Sequence, residues 1–182
     1  MKEVIPPIAK ESILKELTRD KFLRKTNKGN NELYIITHHN SPNTMLEIGR
    51  LREITFRIAG GGTGKEADID NFDTGDYPYN QLLVWDPHKK EILGGYRFML
   101  CGELRQDNSE VPELATSRLF HFTDRFRKEY LPYMIELGRS FVQPAYQSTN
   151  RNKKSVYALI IFGTDWVHSA LIILHINISL VK

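Results

Sequence analysis

Three aspartates fall within the run DIDNFD: Asp68, Asp70 and Asp73. Such a run is ordinarily a solvated loop. Arg97 interrupts an apolar stretch, EILGGYRFML, on the face opposite Tyr96 and Phe98. Glu136 and Arg139 interrupt another, MIELGRSFV. Charges inside strands of this kind are costly unless paired. Two such strands and an acidic loop therefore point to one compensated cluster. Two readings fit it: an ion-pair network that only holds strands together, or a site where these groups act on a substrate.

Other chemistry-bearing residues carry less. AGGGTGK, from Ala59 to Lys65, has the look of a phosphate-binding loop. A true one needs a glycine at the first position and a hydroxyl after the lysine, and it leaves a strand. Here those positions are Ala59 and Glu66, and the segment follows a helical pattern, so a glycine-rich helix terminus is expected. His38 and His39 are adjacent and would face opposite ways on a strand. A single cysteine, Cys101, makes neither a disulfide framework nor a cysteine zinc cluster, and no metal is expected.

The elements that must position these residues are legible in outline. Lys10 to Lys25 reads as an amphipathic helix carrying Ile13, Leu14, Leu17 and Phe22. Leu33 to Thr37 is a strand. Ser41-Pro42 opens a helix whose stripe is Met45, Ile48, Leu51, Ile54 and Ile58. Gln81 to Trp85 and Glu91 to Gly102 form a hairpin about the turn DPHKK. TDRFRKEY is a short helix, Met134 to Val142 a further strand, and another helix begins near Ser155. This order predicts an α/β or α+β fold, a sheet with helices on its faces.

Composition sets the class. The chain has 182 residues, 41% apolar and 26% charged, with a net charge of +3. That is one globular domain, too weakly basic for a nucleic-acid footprint. The opening MKEVIPPIAKES lacks the apolar run of a secretory signal, so a cytoplasmic protein is expected, with a peripheral role at the inner membrane face as an extension.

Taken together, Asp68, Asp70 and Asp73, the strand ending in Trp85, Gly94-Gly95-Tyr96-Arg97, and Glu136 to Ser140 (ELGRS) resemble the acyl-homoserine-lactone synthase pattern. More closely, about Arg52 to Leu159 resembles the hemolysin-like branch of the GNAT acyltransferases, with bacterial enzymes that make N-acyl amino acids on the way to ornithine and glycine lipids. PYNQLLVWDPHKKEILGGYRFM and ELGRSFVQPAYQS are the most specific phrases, and Arg52 with Phe56 matches a pair on that family's first helix. The resemblance implies a GNAT-like mixed central sheet flanked by helices. It implies transfer of a fatty acyl group from a thioester to an amino-acid amine, with Glu136 taking the amine proton and Arg139 supplying charge and orientation. Arg52, Asp68, Asp70, Asp73 and Arg97 become the substrate-binding electrostatic cluster. On an ideal strand Glu136 and Arg139 point to opposite faces; a bulge near Gly138, known in that family, would bring them together.

The loop after this strand, QSTNRNKKS, lacks the glycines with which CoA-using relatives cradle a pyrophosphate. The resemblance therefore implies an acyl-phosphopantetheine thioester on an acidic acyl carrier protein as co-substrate, with no bound cofactor. Val142, Gln147, Arg151, Lys153 and Lys154 would receive it. Two alternatives stay open: a homoserine-lactone synthase using S-adenosylmethionine, and a non-enzymatic, membrane-binding hemolysin-like protein.

From Ser155 to Val181 the only charged residue is Asp165. The resembled family continues here as Asp-Asn-Leu-Trp-Asp-Gly-Leu. Read from the third base of the Leu159 codon, the overlapping codons can spell that continuation. Asp165-Trp166 and Trp166-Val167 are forced to read Leu and Gly. The expectation is residues 1–40 as an N-terminal helix and strand and residues 41–159 as the first part of a GNAT-like domain. Residues 160–182 are then a frameshifted tail, the sheet is truncated in its C-terminal half, and the chain is inactive and poorly soluble.

Overall fold

In a computed structural model, residues 1–27, 29–102 and 113–147 are described. Five strands form one sheet: β1 (Phe22–Lys25), β2 (Glu32–Ile36), β3 (Asn80–Asp86), β4 (Glu91–Leu100) and β5 (Ile135–Val142). They lie side by side in chain order, each antiparallel to the next. The helices are α1 (Lys10–Glu16), α2 (Pro42–Ile58), α3 (Asn71–Thr74) and α4 (Asp124–Glu129). The break reading of residues 160–182 and the helix near Ser155 lie outside the described residues.

β3 and β4 are buried at nearly every position because both sheet faces are apolar there. One face carries Tyr34, Ile36, Leu83, Trp85, Ile92 and Phe141 and packs with Met45, Ile48 and Leu51 of α2. The other carries Leu33, Val84 and Leu93, then Leu82, Tyr96, Phe98 and Leu100. The stripe expected on α2 holds for its first three members; Ile54 is half-buried and Ile58 is exposed at the helix end.

The first helix is shorter than its pattern. It ends at Glu16, and the Thr18–Lys21 turn leads into β1, so Phe22 belongs to a strand. Over so few residues a helical and an extended apolar pattern coincide, and pairing of β1 with β2 decides. Nor does Ser41 cap α2 with its side chain. Glu16 does so from α1: its carboxylate accepts the Asn43 and Thr44 amides at 2.9 and 2.7 Å.

The glycine-rich segment after α2 is folded around a carboxylate of the protein itself. Glu53, fully buried, accepts from the Thr63 and Gly64 amides at 3.0 and 2.8 Å, the Thr63 hydroxyl at 2.6 Å and Arg57 Nε at 2.7 Å. Amides held in this way are not offered to a phosphate. Burial works to raise the Glu53 pKa, but the Thr63 and Arg57 hydrogen bonds prevail and lower it from 4.5 to about 2. A depressed carboxylate stabilises the fold above its unfolded pKa, and that stabilisation is lost as pH falls through the folded one. Urea denaturation between pH 4.5 and 2 should thus show a steep loss of stability in the wild-type chain. Glu53→Gln should be less stable at pH 7 and lose less across that window.

Candidate functional site

The acidic run is an ordered turn. Asp70 caps α3 by accepting the Phe72 amide at 2.9 Å, and Asp73 reaches back to the Asp70 amide at 3.2 Å, a capping box. The carboxylates are thereby aimed at the sheet. Gly49 of α2 lets the preceding segment come close: the Asp68 amide donates to the Gly49 carbonyl at 2.9 Å, and a Cβ on Gly49 would lie 2.5 Å from Ile69 Cγ1.

Around these aspartates stand three arginines. Arg52, wholly buried on α2, bonds Asp73 at 3.1 Å and donates to Gln81 Oε1, while Gln81 Nε2 donates to Asp73 at 3.0 Å. Arg97 of β4 lies beside Gln81 in the register and bonds Asp70 at 2.8 Å and Asp73 at 3.4 Å. Arg139 of β5 pairs with Asp68 at 3.3 Å and Asp70 at 3.7 Å. Arg52, Asp68, Asp70, Asp73, Arg97 and Arg139 thus form one cluster, three charges of each sign. Its inner members are closed to water; Asp70 and Arg139 keep side-chain exposures of 26% and 33%.

Burial sets the electrostatics against pairing. Burial raises the Asp68 pKa despite Arg139 and Arg52. Burial would also raise Asp70, but the Arg97 hydrogen bond and charge hold it below the usual carboxylate range. Burial lowers Arg52 against the pull of Asp73, whereas Asp73 and Asp70 outweigh burial at Arg97 and raise it.

A bulge is present on β5. Gly95 faces Phe141 and Arg97 faces Gly138, so Tyr96 on β4 spans two residues, Arg139 and Ser140. Arg139, the first residue of the bulge, takes a left-handed φ of 54°. Without the extra residue, alternation from Phe141 would turn Glu136 to the other face. With it, Glu136 and Arg139 both reach the α2 side, but to different partners. Glu136 accepts the Tyr79 hydroxyl and the Thr116 amide, the latter at 2.7 Å. Arg139 takes Asp68 and Asp70, with its guanidinium 5.9 Å from the Phe56 ring centre.

Val142 and Gln147 are joined locally: Gln147 Nε2 donates to the Val142 carbonyl at 2.8 Å. Arg151, Lys153 and Lys154 lie outside the described residues. Tyr79, Gln81 and Gly49 escape a reading by type. Gln81 carries the one available signal, a polar residue opening an apolar strand. Among the described residues, no three His, Cys, Asp or Glu side chains could hold a metal, and no helix is long and apolar enough to cross a membrane.

Residues 51–156 match the acetyltransferase (GNAT) domain. The chain belongs to the GNAT family. Its five strands and flanking helices fit that α/β fold. It is 59% identical over 159 residues to a glycine N(alpha)-acyltransferase of Bacteroides thetaiotaomicron, covering 87% of this chain and 47% of that protein. It is 57% identical over 159 residues to a glycine N(alpha)-acyltransferase of Phocaeicola vulgatus, covering 87% and 49%. The chain spans about half the length of these curated relatives. No solved structure gives a significant match.

Because Asp70 and Asp73 are held by Arg97, Arg97→Met leaves the buried Asp73 carboxylate, and the partly exposed Asp70 beside it, short of a partner. Urea unfolding of this variant should show a loss of about 3–5 kcal/mol. Gly49→Ala should also destabilise, by driving Ile69 and the Asp68 segment off α2. The same unfolding assay, with Ile69→Ala restoring part of the loss, checks that cause.

Proposed function

We propose that the protein is the N-terminal part of an N-acyltransferase that moves a fatty acyl group from an acyl carrier protein thioester to the amine of glycine. The observation that carries this reading is the 57–59% identity to proteins named glycine N(alpha)-acyltransferases, over 87% of the chain. The cluster supports it. Asp70 and Arg139 are its water-accessible members and present both signs side by side, which suits an amino acid with its ammonium and carboxylate.

In the reaction the neutral amine nitrogen attacks the thioester carbonyl carbon. The C–N bond forms, the C–S bond breaks, and the proton shed by nitrogen is taken by the Glu136 carboxylate and returned to the leaving sulfur. Arg139 orients the acceptor carboxylate. Arg52, Asp68, Asp73 and Arg97 hold Asp70 and Arg139 in place. The glycine-free sequence QSTNRNKKS that follows β5, with Arg151, Lys153 and Lys154, favours a phosphopantetheine arm on an acidic carrier over the diphosphate of CoA. The product is a lipid, in keeping with work at the inner face of a membrane.

The altered reading frame after Leu159 belongs to the same proposal. The matched length of 159 residues equals the stretch ahead of that break. Sequencing the coding region from Ser155 onward tests it. A shifted open frame continuing past Lys182 is expected; a stop ahead of the forced Leu-Gly pair overturns it.

Frame-restored protein, incubated with acyl carrier protein thioester and glycine, should yield N-acylglycine by mass spectrometry, and the 182-residue chain none. A homoserine lactone, or vesicle leakage without acyl transfer, would defeat the proposal. Glu136→Gln in the restored protein should lower turnover about 10²-fold or more with the fold retained by circular dichroism. Unchanged turnover would assign Glu136 to structure alone.

A further inference from the structure

Tyr79 stands at the head of β3, buried, on the same side as Gln81 and Arg97. Its hydroxyl has two partners. It donates to Glu136 Oε2 on β5, and it accepts the Ala115 amide at 3.0 Å. The other oxygen of Glu136 accepts the very next amide, that of Thr116, at 2.7 Å. Tyr79 and Glu136 together thus grip two successive amides at the start of the 3-10 turn Ala115–Arg118. Phe72 of α3 packs edge-on against the Tyr79 ring, with centres 5.5 Å apart, and the Arg97 guanidinium lies 5.3 Å from that ring. The ring is therefore wedged between the acidic turn and the base.

We infer that Tyr79 is a positioning residue for Glu136: its hydroxyl fixes the carboxylate and couples it to the Ala115–Arg118 turn and to the arginine–aspartate cluster. The inference rests on Glu136 being the proton acceptor. Three observations lead to it. A carboxylate on a strand has free rotation about its side-chain bonds unless something holds each oxygen, and here one holder is a neighbouring side chain and the other a backbone amide. The holder itself cannot turn away, because its ring is packed and its hydroxyl oxygen is bonded to Ala115. Burial and the Glu136 hydrogen bond also raise the Tyr79 pKa, which keeps the phenol a donor. Among the described residues each oxygen accepts one bond, and since each can accept two, two lone-pair directions of the carboxylate face a substrate amine.

Amide hydrogen exchange in the 182-residue chain tests the positioning without needing activity. In Tyr79→Phe the Ala115 amide loses its acceptor and must exchange faster whatever Tyr79 does for Glu136. The deciding probe is the Thr116 amide, whose acceptor is Glu136 itself. If Tyr79 holds Glu136, Thr116 exchange should rise about tenfold or more while Leu83 and Val84 in the core stay protected. Unchanged Thr116 protection would falsify the inference. Should Tyr79→Phe fail to fold, Glu136→Ala asks the same question in reverse. Ala115 exchange rises if the pair is one unit and stays slow if it is not.

Turnover of frame-restored protein then separates positioning from general damage. Tyr79→Phe should lower kcat about tenfold with KM for glycine little changed, and should add nothing on top of Glu136→Gln. An equal further loss in the Glu136→Gln background would show that Tyr79 acts elsewhere, and would overturn the inference. If Glu136→Gln alone leaves turnover intact, it is the proton-acceptor reading that fails, and the exchange result still reports whether Tyr79 holds the side chain.

Discussion

The buried carboxylate of Asp73 is where most of the site is joined. One oxygen accepts from Arg52 on α2 and Gln81 on β3; the other accepts from the Asp70 amide and Arg97 on β4. Helix, turn and two strands therefore meet on a single charge. A carboxylate so far from water is tolerable only because each oxygen has two donors and two of the four donors are cationic. Every other member of the cluster takes its position from this arrangement. Arg97 held by Asp73 meets Asp70, and Asp70 held over the sheet meets Arg139.

Backbone devices make that junction reachable. Gly49 has no side chain to fend off Ile69, so the segment bearing Asp68 docks on α2. The capping box folds Asp70 and Asp73 into one short turn and points them inward. The β5 bulge turns Glu136 and Gly138 to the α2 side and leaves Arg97 room to lie across Gly138. Gly95 admits the close approach of β3, since a Cβ there would lie 2.5 Å from the Leu82 carbonyl oxygen. The acidic cluster and the Glu136–Tyr79 pair then sit at two ends of one polar strip beside the apolar core. Tyr79 and Arg97 touch in the middle of it.

Much of this was legible in the chain. α2, the β3–β4 hairpin and β5 announce themselves through long apolar patterns, because a buried face needs a fixed period and few alternatives satisfy it. The arginine–aspartate part of the cluster was legible too, since Arg97 and Arg139 are expensive where they stand and DIDNFD supplies the matching charge; Glu136, expected with them, bonds Tyr79 and Thr116 instead. Phe22 fits a helical stripe in the sequence yet lies in β1, because four residues do not distinguish a helical stripe from a strand. Ser41 has the type of a cap, yet Glu16 occupies the place; a carboxylate brought by another helix outcompetes a local hydroxyl, and no local pattern records it.

Residue types and spacing by themselves determined the class of fold and the charge balance of the cluster; the irregularity in β5 was implied by the family resemblance. Tertiary structure alone decided the pairing. Whether Glu136 would bond Arg139 or a tyrosine depended on where Tyr79 arrives, and that is set by the register of β3 against β4 and of β4 against β5. Register is a long-range quantity: a shift of one residue reverses the face of every side chain while leaving local composition untouched. The same reason separates Gln81 and Tyr79 from their neighbours. Each is an ordinary polar or aromatic residue in the chain, and each becomes part of the site only when three strands and a helix bring it a charged partner.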